Sequence, residues 1–397
     1  MFASGFPSLY AAFDRFPSRR GAATHIAKLA PALFEVTGGG LLYTLGETGG
    51  AEWRVEGTMA HGRLTDGPPH YLDRARVFRQ GLRALLDAQG MGLRIAQFRD
   101  PWSGLALLEW RQHLRTTHPE MPDIPIIYEI NGLPSIELPS RYPHLLPSTL
   151  EKLRTLEARC WTAADWILTP SQTLKQNLVR LGAPEARMEV LPNGADLTGP
   201  TSEVTHPLQT GPYVLYFGAL QPWQGVEGLV RAFALLQDLP ELKLVLCVSS
   251  PSQRIRALKN LAEQKGISER LHWEQELSTE ALAPWIQHAR LSVAPLTACA
   301  RNLEQGCAPL KILESMQAGV PVVASDLPPV RELIQHGQTG WLVRPDRPLE
   351  LARAIRVLLE YPDKRHMLST AARAHVRTHF GWPDILERYQ MRVRSLI

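Results

Sequence analysis

Short, continuous apolar runs alternate with amphipathic stretches along nearly the whole chain, and that alternation leaves few folds open. In the first half the runs at 9–13, 40–44, 94–98, 126–130, 166–169 and 188–191 read as strands, with helices predicted near 24–36, 78–89, 103–115, 147–163 and 172–181. In the second half the strands fall at 213–217, 243–248, 271–273, 291–294, 320–324 and 340–343. Helices are predicted there near 226–237, 252–265, 279–288, 310–317, 328–335, 348–360 and 363–378. A strand that is apolar on both faces needs cover on both, so helices lying between such strands imply parallel sheets rather than alternating antiparallel ones. Two such sets predict an α/β protein of two doubly wound, Rossmann-like units. A chain of 397 residues is also long for a single core.

The seam between the sets is expected at 197–212 (LTGPTSEVTHPLQTGP), which is rich in Thr, Pro and Gly and carries no periodicity. The division predicted is 1–205, 206–380 and a last helix over 381–397, which follows the Gly381-Trp382-Pro383 break. Ile385, Tyr389 and Val393 lie on one face of that helix, suited to packing back on the first domain. Open parallel sheets collect ligands beyond the carboxyl ends of their strands, which makes a cleft faced by both domains the expected active site. A net charge of +4 and the lack of basic, aromatic-interleaved clusters argue against nucleic acid and allow at most peripheral contact with an anionic membrane. No apolar run approaches the roughly 20 residues of a membrane span. The opening MFASGFPSLYAAF has no cationic start and is broken by Gly5 and Pro7, so no signal peptide is expected and a cytoplasmic location is. Cysteines 160, 247, 299 and 307 form no CxxC pair, which fits reduced thiols, with Cys307 read as a small space-filling residue.

The chemistry concentrates in 304–345, EQGCAPLKILESMQAGVPVVASDLPPVRELIQHGQTGWLVRPD. A loop carrying Gly306, Ala308 and Pro309 feeds a helix start, where free backbone N–H groups and positive dipole favour a phosphate. Leu310 and Lys311 can supply such N–H groups, whereas Pro309 has none. Lys311 and Glu314 follow three apart: an ammonium for a diphosphate and a carboxylate for the hydroxyls of a nucleoside.

Three blocks in order, PNGAD at 192–196, YFGALQPWQGVEGLVRAFALL at 216–236 and APLKILESMQAGVPVVASDLPPVRELIQHGQTGWLV at 308–343, resemble the family 4 retaining glycosyltransferases. The first half resembles them mainly through FPSRRGAATHIAKLAPAL at 16–33, where the family has its first loop and helix. The resemblance implies the GT-B fold, with a nucleotide-diphosphate sugar as donor and a saccharide or lipid-linked acceptor. It implies hexosyl transfer to a hydroxyl with retention of anomeric configuration, in polysaccharide or glycoconjugate biosynthesis. Glu314 aligns with the second glutamate of the family's Glu-(seven residues)-Glu motif, implying a ribose contact. The first glutamate is replaced by Gly306, with Glu304 two residues earlier, which places the chain nearer a subset reading P-L-K-x-x-E. Where relatives carry an arginine and a lysine directed at phosphate, this chain has Ala219 and Gln224, between retained Gly218 and Gly225, with Trp223 alongside.

The donor-binding candidates are thus Gly21, Ala22, Gly218, Gln224, Gly306, Ala308, Leu310, Lys311 and Glu314, of which Lys311 and Glu314 are also the catalytic candidates. Acceptor-side candidates follow strand ends in the first domain: Arg99, Asp100, Glu129 and Asn131. Arg99 or Arg301 could replace the missing phosphate cations, and His25 reads as a packed residue. Asn193 and Gly194 read as a turn at the hinge, anchored by Asp196. No Asp-x-Asp motif appears, so no metal and no cofactor is expected. Ala219, Gln224 and Gly306 keep a catalytically lapsed partner subunit open as an alternative, and a GT-B nucleotide-sugar epimerase is the other.

Overall fold

A computed structural model describes residues 5–18, 21–50, 52–196, 207, 211–249, 252–306 and 308–397. Arg19, Arg20, Cys307 and most of the expected seam lie outside the described residues. The chain divides into two compact units, Met1–Leu191 with Pro383–Ile397, and Pro192–Trp382.

In the first unit, strands β1 (Ser8–Arg15), β2 (Gly40–Leu45), β3 (Trp53–Glu56), β4 (Met59–Leu64), β5 (Ile95–Phe98), β6 (Ile126–Glu129), β7 (Trp166–Thr169) and β8 (Met188–Val190) form one sheet. Their order is β3-β4-β2-β1-β5-β6-β7-β8. Helices α1 (Gly21–Thr37), α2 (Tyr71–Gln89), α3 (Pro101–Thr117), α4 (Pro134–Arg141), α5 (Pro147–Ala163) and α6 (Gln172–Arg180) fill the crossovers. The hairpin β3–β4 departs from the expected all-parallel sheet, for these two strands pair antiparallel. Strand β3 is exposed throughout, so WRVE shows no apolar run to mark it. Helix α2 begins at Tyr71, about two turns before the predicted start; Tyr71 and Leu72 pack against the core there, but Asp73, Arg74 and Arg76 interrupt the apolar pattern in sequence. Helix α4 was hidden by Pro134 and Pro139, the first of which sits harmlessly at the helix start.

The second unit orders its strands β11-β10-β9-β12-β13-β14. These are β9 (Tyr213–Gly218), β10 (Lys243–Val248), β11 (Leu271–Gln275), β12 (Leu291–Ala294), β13 (Val322–Ser325) and β14 (Trp341–Val343), and every pairing among them is parallel. Alternate residues of β9 enter cores on opposite faces: Val214 and Tyr216 on one, Tyr213, Leu215 and Phe217 on the other. Its continuous apolar sequence therefore reflects double cover. Its helices are α7 (Val226–Phe233), α8 (Ser252–Gln264), α9 (Thr279–Gln287), α10 (Leu310–Gln317), α11 (Pro328–Arg331), α12 (Pro348–Glu360) and α13 (Pro362–His379), and α14 (Trp382–Arg394) follows them in the chain. Helix α11 is a single turn, shorter than predicted, and α7 stops at Phe233. A five-residue π turn over Arg301–Gln305, which the sequence did not announce, leads into Gly306.

Beyond Trp382, α14 belongs to the first unit. Tyr389 stacks on Trp166 with ring centroids 5.9 Å apart and donates a 2.5 Å hydrogen bond to Gln97 Oε1. Among the described residues no helix is long and apolar enough to cross a membrane. Cys160, Cys247 and Cys299 are free thiols.

Candidate functional site

The turn after β9 sets the frame of the site. Gly218 closes the strand at φ +122°, and Gly225 closes a 3₁₀ turn over Pro222–Gln224 in the left-handed region at φ +66°. A Cβ on Gly225 would lie 1.9 Å from the Pro295 carbonyl oxygen, so no other residue fits there without moving the backbone after β12. The turn is then pinned from the far side. The Trp223 carbonyl accepts from Thr297 N at 3.1 Å and from Asn302 Nδ2 at 2.9 Å, and Asn302 is fully buried. Gln224 is held at a fixed place as a result.

Lys311 meets it there. The ammonium donates to Gln224 Oε1 at 2.6 Å and lies over the Tyr216 ring, 4.1 Å from its centroid. A Cβ on Gly218 would stand 3.1 Å from that Nζ, so the strand glycine is what leaves room for the ammonium. The lysine is buried, at 9% exposure. Two candidates of one turn, Gly218 and Gln224, thus meet Lys311, 87 positions on from Gln224, around one charge. Tyr216, read from sequence only as a strand residue, is the fourth member. Its hydroxyl donates to the Ala219 carbonyl at 2.7 Å.

Glu314 sits one turn along α10 from Lys311, half-buried. Burial pushes its carboxyl up to about 7; Lys311 opposes the rise, and Asp196 adds to it. Asp196 therefore acts on the site electrostatically, a role its turn position did not reveal. Asn193 is another such residue: it is buried, and its Nδ2 donates to the Ala308 carbonyl at 2.5 Å. That bond ties the segment after β8 to the loop ahead of α10. Gly306 is buried at φ +74°, ψ 162°, and Leu310 opens α10 with no side-chain cap on its amino end. The neighbouring Arg301 lies over the Trp223 ring, 5.2 Å from its centroid.

A cavity of about 480 Å³ also opens on the second unit, lined by Gly225, Thr297, Arg231, Arg254, Arg344 and Arg347 among others. Of the donor candidates none lines it, and Gly225 is the shared edge.

In the first unit a buried carboxylate organises the acceptor-side candidates. Glu129 accepts from Arg99 Nε at 3.0 Å, Asn131 Nδ2 at 2.6 Å, Tyr10 OH at 2.6 Å and Gln97 Nε2 at 2.9 Å, with His25 Nδ1 3.4 Å away. Burial works to raise its pKa, but Arg99, His25 and Tyr10 outweigh it and hold the carboxyl well below the usual carboxylate range. Arg99 is a member of this cluster, bound also to Asp14 and to the Ala22 carbonyl at 3.1 Å. Through that last bond the start of α1, where Gly21 and Ala22 lie, is joined to the cluster. His25 is packed, as expected, and its partner is Glu129.

Asp100 stands apart from that group. Its carboxylate caps α3, accepting from Ser103 N at 2.9 Å and Ser103 Oγ at 2.8 Å, and it also takes the Phe13 N–H at 2.7 Å. Burial lifts it to about 6 despite these bonds. Asp100→Ala is expected to lower stability by about 1–2 kcal/mol through the lost cap. Thermal melting of the variant against wild type checks it.

Residues 19–198 match the family model described as Glycosyltransferase Family 4, and residues 201–375 match Glycosyl transferases group 1. A D-inositol 3-phosphate glycosyltransferase from Thermobispora bispora is 33% identical over 177 residues, 43% of this chain and 40% of that protein. Its counterpart from Thermomonospora curvata is 29% identical over 260 residues, 62% of this chain and 55% of that protein. The chain spans about half the length of the curated relatives it matches. Among solved structures, a sucrose-phosphate synthase from Thermosynechococcus elongatus superimposes with a TM-score of 0.79 at 20% identity, covering 98% of each chain. HepE from Anabaena, in complex with UDP-glucose, gives 0.74 at 17% identity, covering 98% of this chain and 99% of that one. At those identities the likeness shows the fold.

Proposed function

The chain carries both domains of a family 4-type glycosyltransferase in the GT-B fold, and from that premise we propose that it transfers a sugar from a nucleotide-diphosphate donor to an acceptor hydroxyl. The observation that carries the reading is the Lys311 ammonium. It is buried, donates to the Gln224 amide oxygen, and is placed at the mouth of a helix whose amino end lacks a side-chain cap.

In this reading the second unit holds the donor. The Glu314 carboxylate accepts hydrogen bonds from ribose hydroxyls, and the N–H groups of Leu310 and Lys311 face the diphosphate. The bond between the anomeric carbon and the terminal phosphate oxygen breaks, its electron pair leaving on that oxygen. A new bond forms to the acceptor oxygen, whose proton passes to the departing phosphate. Negative charge grows on the diphosphate as this happens, so a fixed ammonium helps the transition state more than the ground state. The new bond takes the face of the old, giving retention, and the products belong to polysaccharide or glycoconjugate synthesis. UDP-glucose, bound by HepE, is the first donor to try.

The test is a panel of nucleotide sugars with and without saccharide acceptors, scored by release of free nucleotide. Acceptor-dependent release supports transfer. Interconversion of the donor sugar without any acceptor, or binding with no turnover across the panel, contradicts it.

A pH dependence follows from Glu314. The ionised carboxylate accepts two hydrogen bonds from ribose, the protonated acid one fewer. With its carboxyl lifted to about 7, donor affinity should rise as pH increases from 6 to 8 and then level off. Glu314→Gln should flatten that rise. Calorimetric titration with the nucleoside diphosphate at several pH values measures it.

A further inference from the structure

We propose that Gln224 is a positioning residue: its side-chain carbonyl holds the Lys311 ammonium where the donor phosphate is to meet it. The inference rests on the reading of the second unit as the donor site, and adds to it how the Lys311 ammonium is oriented.

A lysine side chain carries about 2 kcal/mol of rotamer entropy, and its ammonium is strongly hydrated, so a buried one needs a partner. A carboxylate partner would fix the group but cancel its charge. Gln224 Oε1 accepts at 2.6 Å and leaves the charge intact. The Tyr216 ring face, 4.1 Å away, supports the ammonium from beneath in the same charge-preserving manner. The backbone that carries Gln224 is in turn held in place. Its own N–H donates to the Gln221 carbonyl at 2.9 Å, Gly225 beside it admits no side chain, and the Trp223 carbonyl is pinned by Asn302 and Thr297. The whole turn serves to present one amide oxygen. The same geometry makes position 224 unsuited to a second cation, since a lysine there would set two ammonium groups against each other at contact distance.

The rival role for Gln224 is direct contact with the donor through its amide nitrogen, and a double-mutant cycle separates the two. Steady-state kcat and donor KM would be measured for Q224A, K311M and the double variant with the donor found by the panel, and UDP, ADP and GDP titrated into each. Q224A is expected to lower kcat/KM about tenfold, the low end for a hydrogen bond to a charged group. It should cost nothing further once Lys311 is methionine. Q224N, which shortens the reach by one carbon while keeping an amide in the turn, should reproduce the loss and covers the case in which Q224A fails to fold. Q224K should lose activity. An equal Q224A cost in both backgrounds, or full activity in Q224A or Q224K, overturns the positioning role. If K311M itself binds nucleotide and turns over like wild type, it is the donor-site reading that falls.

Discussion

Replacing Lys311 with methionine is expected to lower kcat/KM for the donor by about 100- to 1,000-fold, the loss seen when one preorganised donor to a developing oxyanion is removed. The expectation is this large because the charge sits under a tenth exposed, where solvent screens it little. It is also immobilised before substrate arrives, between Gln224 and Tyr216, so little reorganisation is left for the transition state. Methionine keeps the length and most of the apolar contact of the lysine stem, which leaves the fold intact. The loss should fall on kcat as well as KM, because leaving-group charge grows during bond breaking. A drop confined to KM would mean that Lys311 only binds. A change of less than a few-fold in kcat/KM would remove it from the reaction.

The second large effect is on stability. Glu129→Ala is expected to destabilise the first unit by about 3–5 kcal/mol, the cost of stripping one partner from a buried ion pair. Arg99 would keep Asp14 and the Ala22 carbonyl, yet lose the one carboxylate that is as buried as itself. Tyr10, Gln97 and Asn131 would lose an acceptor at the same time. The pH dependence has a definite sign. Because Glu129 is depressed in the folded state, its contribution is fully present above the unfolded glutamate value of about 4.3 and disappears as pH falls through the folded value. Wild type should therefore lose stability on acidification across that window more steeply than Glu129→Ala. Calorimetric melts from pH 3 to 7 measure this, with the two units resolved as separate transitions where they unfold separately. Equal slopes in the two proteins would contradict the account.

The strands were legible because double cover leaves an unmistakable trace. β9, β10 and β12 are apolar on both faces, and no helix periodicity competes with them. Strand β3 was missed for the opposite reason: its side chains are all exposed, and the Trp53–Val55 alternation is too short to mark a strand by itself. Within the site, Lys311 and Glu314 could be named from sequence because helix spacing alone puts them one turn apart. Gln224 could be named because it stands between two glycines where a cation was expected. Its partnership with Lys311 could not, for nothing in residues 216–236 states how far a lysine 87 positions on will reach. The roles of Asn193 and Asp196 were hidden in the same way: a turn motif shows its own backbone bend, not the loop it binds across the unit. The place of Asp100 after a strand end was legible, whereas its part in capping α3 through the hydrogen bond from Ser103, three residues on, was not.

The most direct test is a crystal structure of the full chain with the nucleoside diphosphate selected by the donor panel. The terminal phosphate is expected at hydrogen-bonding distance, about 2.7–3.0 Å, from Lys311 Nζ, with the ribose hydroxyls on the Glu314 carboxylate. A nucleotide lodged instead among Arg231, Arg254 and Arg344 of the neighbouring cavity, with Lys311 still bound to Gln224 and touching nothing of the ligand, would contradict it.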